Sequence, residues 1–197
     1  MPKIYGSQSG RREVLLTFDD GPHPTFTPKL LDTLGEQGVK AVFFVLGQNI
    51  ESAQGKEIIR RASSEGHFIG NHTYSHPNLK KLTPDQVRAE LKKTMDLIGD
   101  ADRGVKLFRP PYGAHNELVD AIAKEFGYRM MFWNVDPLDW HADYKGGKWV
   151  PFALDQIRSR EDSLVLAHDI HRTTVEKVSD LIAGLKRIRN IELDAPV

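Results

Sequence analysis

The hydrophobic pattern along this chain keeps changing period. Short apolar or β-prone runs at residues 14–18 (VLLTF), 41–46 (AVFFVL), 67–70 (HFIG), 106–108 (KLF), 129–135 (RMMFWNV) and 163–167 (SLVLA) predict strands. The unbroken AVFFVL run suits a parallel strand buried on both faces. Between the strands, residues 28–38, 56–65, 83–98, 116–126, 151–159 and 174–189 read as helices. Their punctuation agrees: Pro28 lies near the first start and Gly38 at its end, Gly66 closes the second, and Thr83 is an N-cap before Pro84 and Asp85. In the helix that Thr83 opens, Val87, Leu91, Met95 and Ile98 share one face. No internal repeat, low-complexity tract or linker interrupts the series, so residues 1–197 read as one domain.

Six or seven strand, loop and helix units argue for a parallel sheet, either open and doubly wound or closed into a barrel. Without a glycine-rich dinucleotide fingerprint the barrel is favoured, as a distorted (β/α) barrel with fewer than eight strands. The unusual residues then fall into place. Asp19, Asp20, His72, Arg109, Asp136 and His168 each lie just past the C-terminal end of a predicted strand. In a parallel barrel those ends open on one face, where active sites are built.

VLLTF runs straight into two adjacent carboxylates, Asp19 and Asp20, and Gly21-Pro22 then stops the strand. Neighbouring acids repel each other, so an ordinary turn explains one of them better than two. His72 and His76, four residues apart in NHTYSH, would present both imidazoles on one side of a helical turn. Two histidines and one carboxylate leave a catalytic zinc an open position for water, which makes Asp20, His72 and His76 the candidate metal set. His67 and Pro77 read as structural.

Composition narrows the chemistry. The 197 residues carry 27 basic and 27 acidic side chains, with no long run of one sign and hence no footprint of a nucleic-acid or anionic-membrane binder. The absence of cysteine excludes disulfides, thiolate nucleophiles and Cys-based zinc sites. No apolar run reaches membrane-spanning length, and the polar start MPKIYGSQSGRRE carries no signal-peptide core.

Taken in order, TFDDGP (17–22), HTYSH (72–76), RPPY (109–112), DPLDW (136–140) and LAH (166–168) resemble the five motifs of polysaccharide deacetylases, the NodB-type domain of carbohydrate esterase family four. The likeness covers residues 14–189. It implies a metal-dependent N-deacetylase, a hydrolase that removes acetyl groups from N-acetylated amino sugars in a polymer such as peptidoglycan or chitin. By the same resemblance Asp19 is the catalytic base, Asp20, His72 and His76 bind zinc or another divalent metal such as cobalt, and Arg109 orients Asp19. The backbone N–H of Tyr112 helps bind the oxyanion. His168 is the general acid with Asp136 as its carboxylate partner, ahead of Asp139. Leu166 and Trp140 line the acetyl pocket, Trp140 and Tyr112 the cleft, and Trp133 is expected to be buried. The implied partner is a glycan acted on by a monomer, without nucleic acid or a membrane span.

Because the family mostly acts on cell-wall or extracellular polymers, the resemblance implies a periplasmic or extracellular setting. The export signal is then absent from this chain, and a cytoplasmic location stays open. The segment HADYKGGK (141–148) is longer than the loop usual after Trp140 and should reshape one groove wall. A hydrolase of small amides would keep the acids and histidines inside a closed pocket. A silent glycan-binding module would lack the proton carriers, and Asp19 and His168 are both present.

Overall fold

A computed structural model describes residues 12–193. In chain order the elements are β1 (Arg12–Asp19), α1 (Phe26–Gln37), β2 (Ala41–Val45), α2 (Gly47–Ile50), α3 (Ala53–Ser64), β3 (Phe68–Asn71), α4 (Pro84–Ile98), β4 (Leu107–Phe108), α5 (Glu117–Glu125), β5 (Arg129–Met130), α6 (Trp149–Arg158), β6 (Ser163–His168), α7 (Arg172–Lys186) and β7 (Ile191–Leu193). Residues 1–11, which hold most of the polar start read above, and 194–197 lie outside the described region. Among the described residues no helix is long and apolar enough to cross a membrane.

The strands pair in parallel in the order β5, β4, β3, β2, β1, β6, with β7 beside Arg12–Val14 at the start of β1. A single bridge between Val135 and Val165 brings the chain beyond β5 back to β6, which curls the sheet into the expected distorted barrel of fewer than eight strands. Side chains alternate across each strand. One parity, Leu15, Val42, Phe44, Phe68, Leu107 and Leu164, forms the barrel interior with Met131. The other, including Val14, Leu16, Phe18, Phe43, Ile69, Val165 and Ala167, packs under the helices.

Following the interior parity toward the strand ends gives Leu15, Thr17, Asp19 on β1; Phe68, Gly70, His72 through β3; Leu107, Arg109 through β4; and Leu164, Leu166, His168 on β6. The polar residues at one mouth are therefore the continuation of the apolar rows that fill the barrel. Gly70 is required in that stack, because a Cβ there would lie 2.6 Å from the Phe44 ring.

Local sequence accounts for the helix ends. Thr83 and Gln86 form a capping box at α4, worth about 1 kcal/mol, and Gly38 ends α1 in the left-handed region. The predicted strand at 129–135 is shorter than expected, with only Arg129–Met130 pairing to β4. The carbonyls of Met131 and Phe132, which a longer strand would offer to a neighbour, instead accept from the Arg109 guanidinium at 3.0 and 2.9 Å. Trp133 is half-buried rather than buried, while Trp149 fills the core.

Candidate active site

The most constrained side chain at the mouth is Arg109, which is fully buried. Its Nη1 lies 2.7 Å from both Asp19 Oδ1 and Thr17 Oγ1, Nε and Nη2 take the two carbonyls just described, and its guanidinium stands 4.2 Å over the Phe44 ring. Thr17 in turn donates a hydrogen bond from its hydroxyl to Val165 O at 2.7 Å. A buried guanidinium with this many acceptors stays charged, although burial lowers its pKa from the ordinary value. Burial raises the Asp19 carboxyl above its ordinary value, against the opposing charge of Arg109. The rise thus comes from burial, not from Asp20.

Asp20, His72 and His76 converge, with one ligand atom from each lying within 4.8 Å of the others. Asp20 Oδ1 is 3.6 Å from His72 Nε2 and 3.3 Å from His76 Nε2. Ligands about 2.1 Å from a tetrahedral zinc are spaced roughly 3.4 Å apart, so the set fits such an ion. Two further features agree with that fit. Asp20 Oδ1 is buried without a hydrogen-bond partner. His72 Nδ1 lies 2.7 Å from Arg109 O, and since a carbonyl only accepts, Nδ1 carries the proton and Nε2 keeps its lone pair toward the site. Burial pushes the His72 pKa down to about 3, which keeps the imidazole neutral, as ligation needs.

The approach of the histidines is not helical. Thr73 and His76 have φ of 72° and 62°, and these two left-handed residues, rather than a helical turn, bring the rings to a 5.1 Å centroid separation. Asp20 and Tyr112 also have positive φ, 74° and 59°. Irregular backbone of this kind gathers where function fixes side-chain direction. Asp20 is held by its N–H to Phe44 O at 3.1 Å and by Asn49 Nδ2 to its carbonyl at 2.8 Å.

Opposite stands His168 at the end of β6, and its carboxylate partner is Asp139, which corrects the expectation of Asp136. Asp139 accepts the His168 backbone N–H at 2.8 Å, Nδ1 at 2.9 Å and the Thr174 hydroxyl at 2.6 Å. Asp136 builds the turn instead: its carboxylate accepts Leu138 N–H at 2.9 Å, and its backbone exchanges hydrogen bonds with Gln156. Leu138, at φ 58°, reverses the chain and delivers the second acid of DPLDW rather than the first. Burial opposes an imidazolium here, yet the Asp139 hydrogen bond and charge, with Asp19 and Asp20 behind them, lift His168 to about 9. Asp139 is correspondingly held below its ordinary value despite its burial.

Asp169 is buried and receives the Thr27 hydroxyl on Oδ2, while Oδ1 has no partner. Burial raises its carboxyl to about 7. A Cβ on Gly21 would run into this carboxylate, which would then have to shift. On the rim, Tyr112 is 67 % exposed with its hydroxyl 3.1 Å from His76 Nδ1, and Trp140 is 47 % exposed. Leu166 lies on the interior row one step below His168. His67, at the other end of β3, accepts Ala41 N–H on Nδ1 at 3.1 Å, the structural role expected of it. Sequence reasoning missed Thr17, which only the strand parity through Asp19 could have flagged.

Residues 6–131 match the family model described as polysaccharide deacetylase. A peptidoglycan-N-acetylglucosamine deacetylase of Bacillus cereus is 47 % identical over 137 residues, covering 69 % of this chain and 49 % of the relative. The peptidoglycan-N-acetylglucosamine deacetylase PgdA of Listeria monocytogenes is 36 % identical over 190 residues, covering 94 % of this chain and 38 % of its own length. The chain therefore spans about half or less of these two relatives. Among solved structures, one titled "T48 deacetylase with substrate" superposes with a TM-score of 0.82 at 38 % identity, covering 93 % of this chain and 88 % of the other.

Proposed function

The chain belongs to the polysaccharide deacetylase family, and from that membership and the site's geometry we propose that it is a metal-dependent N-deacetylase of an N-acetylated glycan, peptidoglycan or chitin-like. The observation that carries this reading is the convergence of Asp20, His72 and His76 beside the Asp19–Arg109 ion pair and the His168–Asp139 pair. An N-acetyl amide is a poor electrophile with a poor leaving group, so it needs a polarised carbonyl, a base and an acid. Asp20, His72 and His76 would hold zinc or a similar divalent ion such as cobalt, which when bound supplies Lewis-acid polarisation and acidifies water.

The remaining roles belong to the chain itself. Asp19, raised by burial yet held by Arg109, accepts the proton of the attacking water. The backbone N–H of Tyr112 donates to the oxygen on which negative charge develops. His168, protonated at neutral pH by its pairing with Asp139, gives its proton to the departing sugar amine. Leu166 and Trp140 enclose the acetyl methyl, and the exposed Tyr112 and Trp140 rings offer faces to sugar rings. We read the chain as one catalytic domain that works as a monomer on an envelope or extracellular polymer.

The test offers metal-stripped and zinc-loaded protein both peptidoglycan and chitin oligomers and measures acetate. Release should require the metal and fall about 10²-fold or more in Asp19→Asn and in His168→Ala. Acetate release that neither substitution changes would remove the mechanism.

A further inference from the structure

The turn that joins the two histidines is costly to make. Thr73 and His76, both L-residues, sit at φ 72° and 62°, a conformation that persists only where the surroundings fix it. Some support comes from within the segment: Asn71 Oδ1 accepts Thr73 N–H at 2.7 Å, and Thr73 Oγ1 accepts His76 N–H at 3.1 Å. The amides of Gly47 and Gln48 in α2 reach the carbonyls of Thr73 and Tyr74 at 3.0 and 3.1 Å. The outward-facing donors at the tip would still lack partners without one side chain. Glu90, half-buried on α4, accepts the N–H groups of Tyr74 and Ser75 on Oε2, both at 2.8 Å, and the Ser75 hydroxyl on Oε1 at 2.7 Å.

We propose that Glu90 is a positioning residue of the metal centre: its carboxylate, reaching from α4, fixes the turn that holds His76 against His72 and Asp20. The inference rests on reading those three residues as metal ligands. Glu90 touches none of them and has no part in proton transfer. Its effect runs through the backbone between His72 and His76, because three hydrogen bonds from the turn converge on the Glu90 side chain there. Freed of it, the turn can relax away from its two left-handed residues, and His76 Nε2 loses its place 3.3 Å from Asp20 Oδ1.

The experiment measures zinc affinity of the full chain by competition with a chromophoric chelator, beside thermal unfolding without metal. The proteins are wild type, Glu90→Ala, Glu90→Gln, Ser75→Ala and His76→Ala. Glu90→Ala should bind zinc about 10-fold more weakly or worse, the usual effect of removing support behind a ligand, while metal-free unfolding changes little. Glu90→Gln keeps an oxygen that accepts both backbone N–H groups and should stay within about threefold of wild type. Wild-type affinity in Glu90→Ala, alongside its loss in His76→Ala, overturns the role of Glu90 alone. Glu90→Gln falling as far as Glu90→Ala overturns it too, since the effect would then lie in charge and not in the hydrogen-bonded turn. No zinc binding by wild type, or none lost in His76→Ala, removes the metal reading and the proposal with it. If Glu90→Ala fails to fold, the exposed Ser75→Ala, which deletes a single donor, must still weaken zinc, and unchanged affinity there overturns the proposal.

Discussion

Asp139 holds His168 from two sides, accepting its backbone N–H at 2.8 Å and its Nδ1 at 2.9 Å. In the proposed mechanism this pairing keeps the imidazole protonated and aimed. Asp139→Asn preserves the shape but removes the charge, so kcat/KM should fall about 10²-fold by the usual size of a general-acid contribution. Asp136→Ala removes only the carboxylate that caps Leu138 N–H, and should leave kcat/KM near wild type while lowering Tm. Steady-state kinetics on both variants decide the matter, and a larger loss in Asp136→Ala would reverse the assignment.

The titration of His168 should report the same partner. Its folded pKa, about 9, lies above the value of 6.5 for a free imidazole, so its ion pair stabilises the protein fully below about pH 6.5 and is lost as pH rises through about 9. Imidazole NMR of the metal-free protein should show one histidine titrating near that upper value, and in Asp139→Asn it should move down. Activity, if His168 is the acid, declines on the alkaline side and does so at lower pH in that variant. A His168 that titrates at or below the free-imidazole value would contradict the pairing.

Much of this arrangement is legible in the chain because it is encoded locally. The observed α4, Pro84–Ile98 with Thr83 as N-cap, lies within one residue of the 83–98 read from sequence, since Thr83, Pro84 and Gln86 specify its start without help from elsewhere. The alternation that carries Asp19, His72, Arg109 and His168 to one mouth follows from strand parity alone. What could not be read depends on distant partners. The strand at 129–135 stops early because the side chain of Arg109, some twenty residues before it, takes its carbonyls. DPLDW offers two acids in one loop, and only the reversal at Leu138 selects the second. The spacing of His72 and His76 suggested a helical turn, whereas two left-handed residues achieve the same convergence.

Asp169 should leave a signature in stability. Its carboxyl, raised from 3.8 to about 7 by burial, binds a proton in the folded state that the unfolded chain releases near pH 4. Between those values the native protein holds more protons, so this group makes stability fall as pH rises from about 4 to about 7. Asp169→Asn removes that slope while keeping an acceptor for the Thr27 hydroxyl. Urea unfolding across this range checks it, and identical slopes in both proteins would refute it.

Gly70 links packing to the site through one aromatic ring. A Cβ at this position would stand 2.6 Å from two atoms of the Phe44 ring and 3.2 Å from Leu107 Cβ, so in a filled barrel the ring is what has to give way. The Phe44 ring must therefore tilt, and among its neighbours is the Arg109 guanidinium, 4.2 Å from the ring centre. Gly70→Ala should cost about 1–3 kcal/mol in urea unfolding, the usual range for overpacking. Its second effect separates this position from an ordinary core site. Because Arg109 holds Asp19 at 2.7 Å, the displaced ring disturbs that ion pair, and kcat should fall at temperatures where the variant is still folded. A Gly70→Ala protein of reduced stability but unaltered kcat would show that Arg109 keeps its position without the ring.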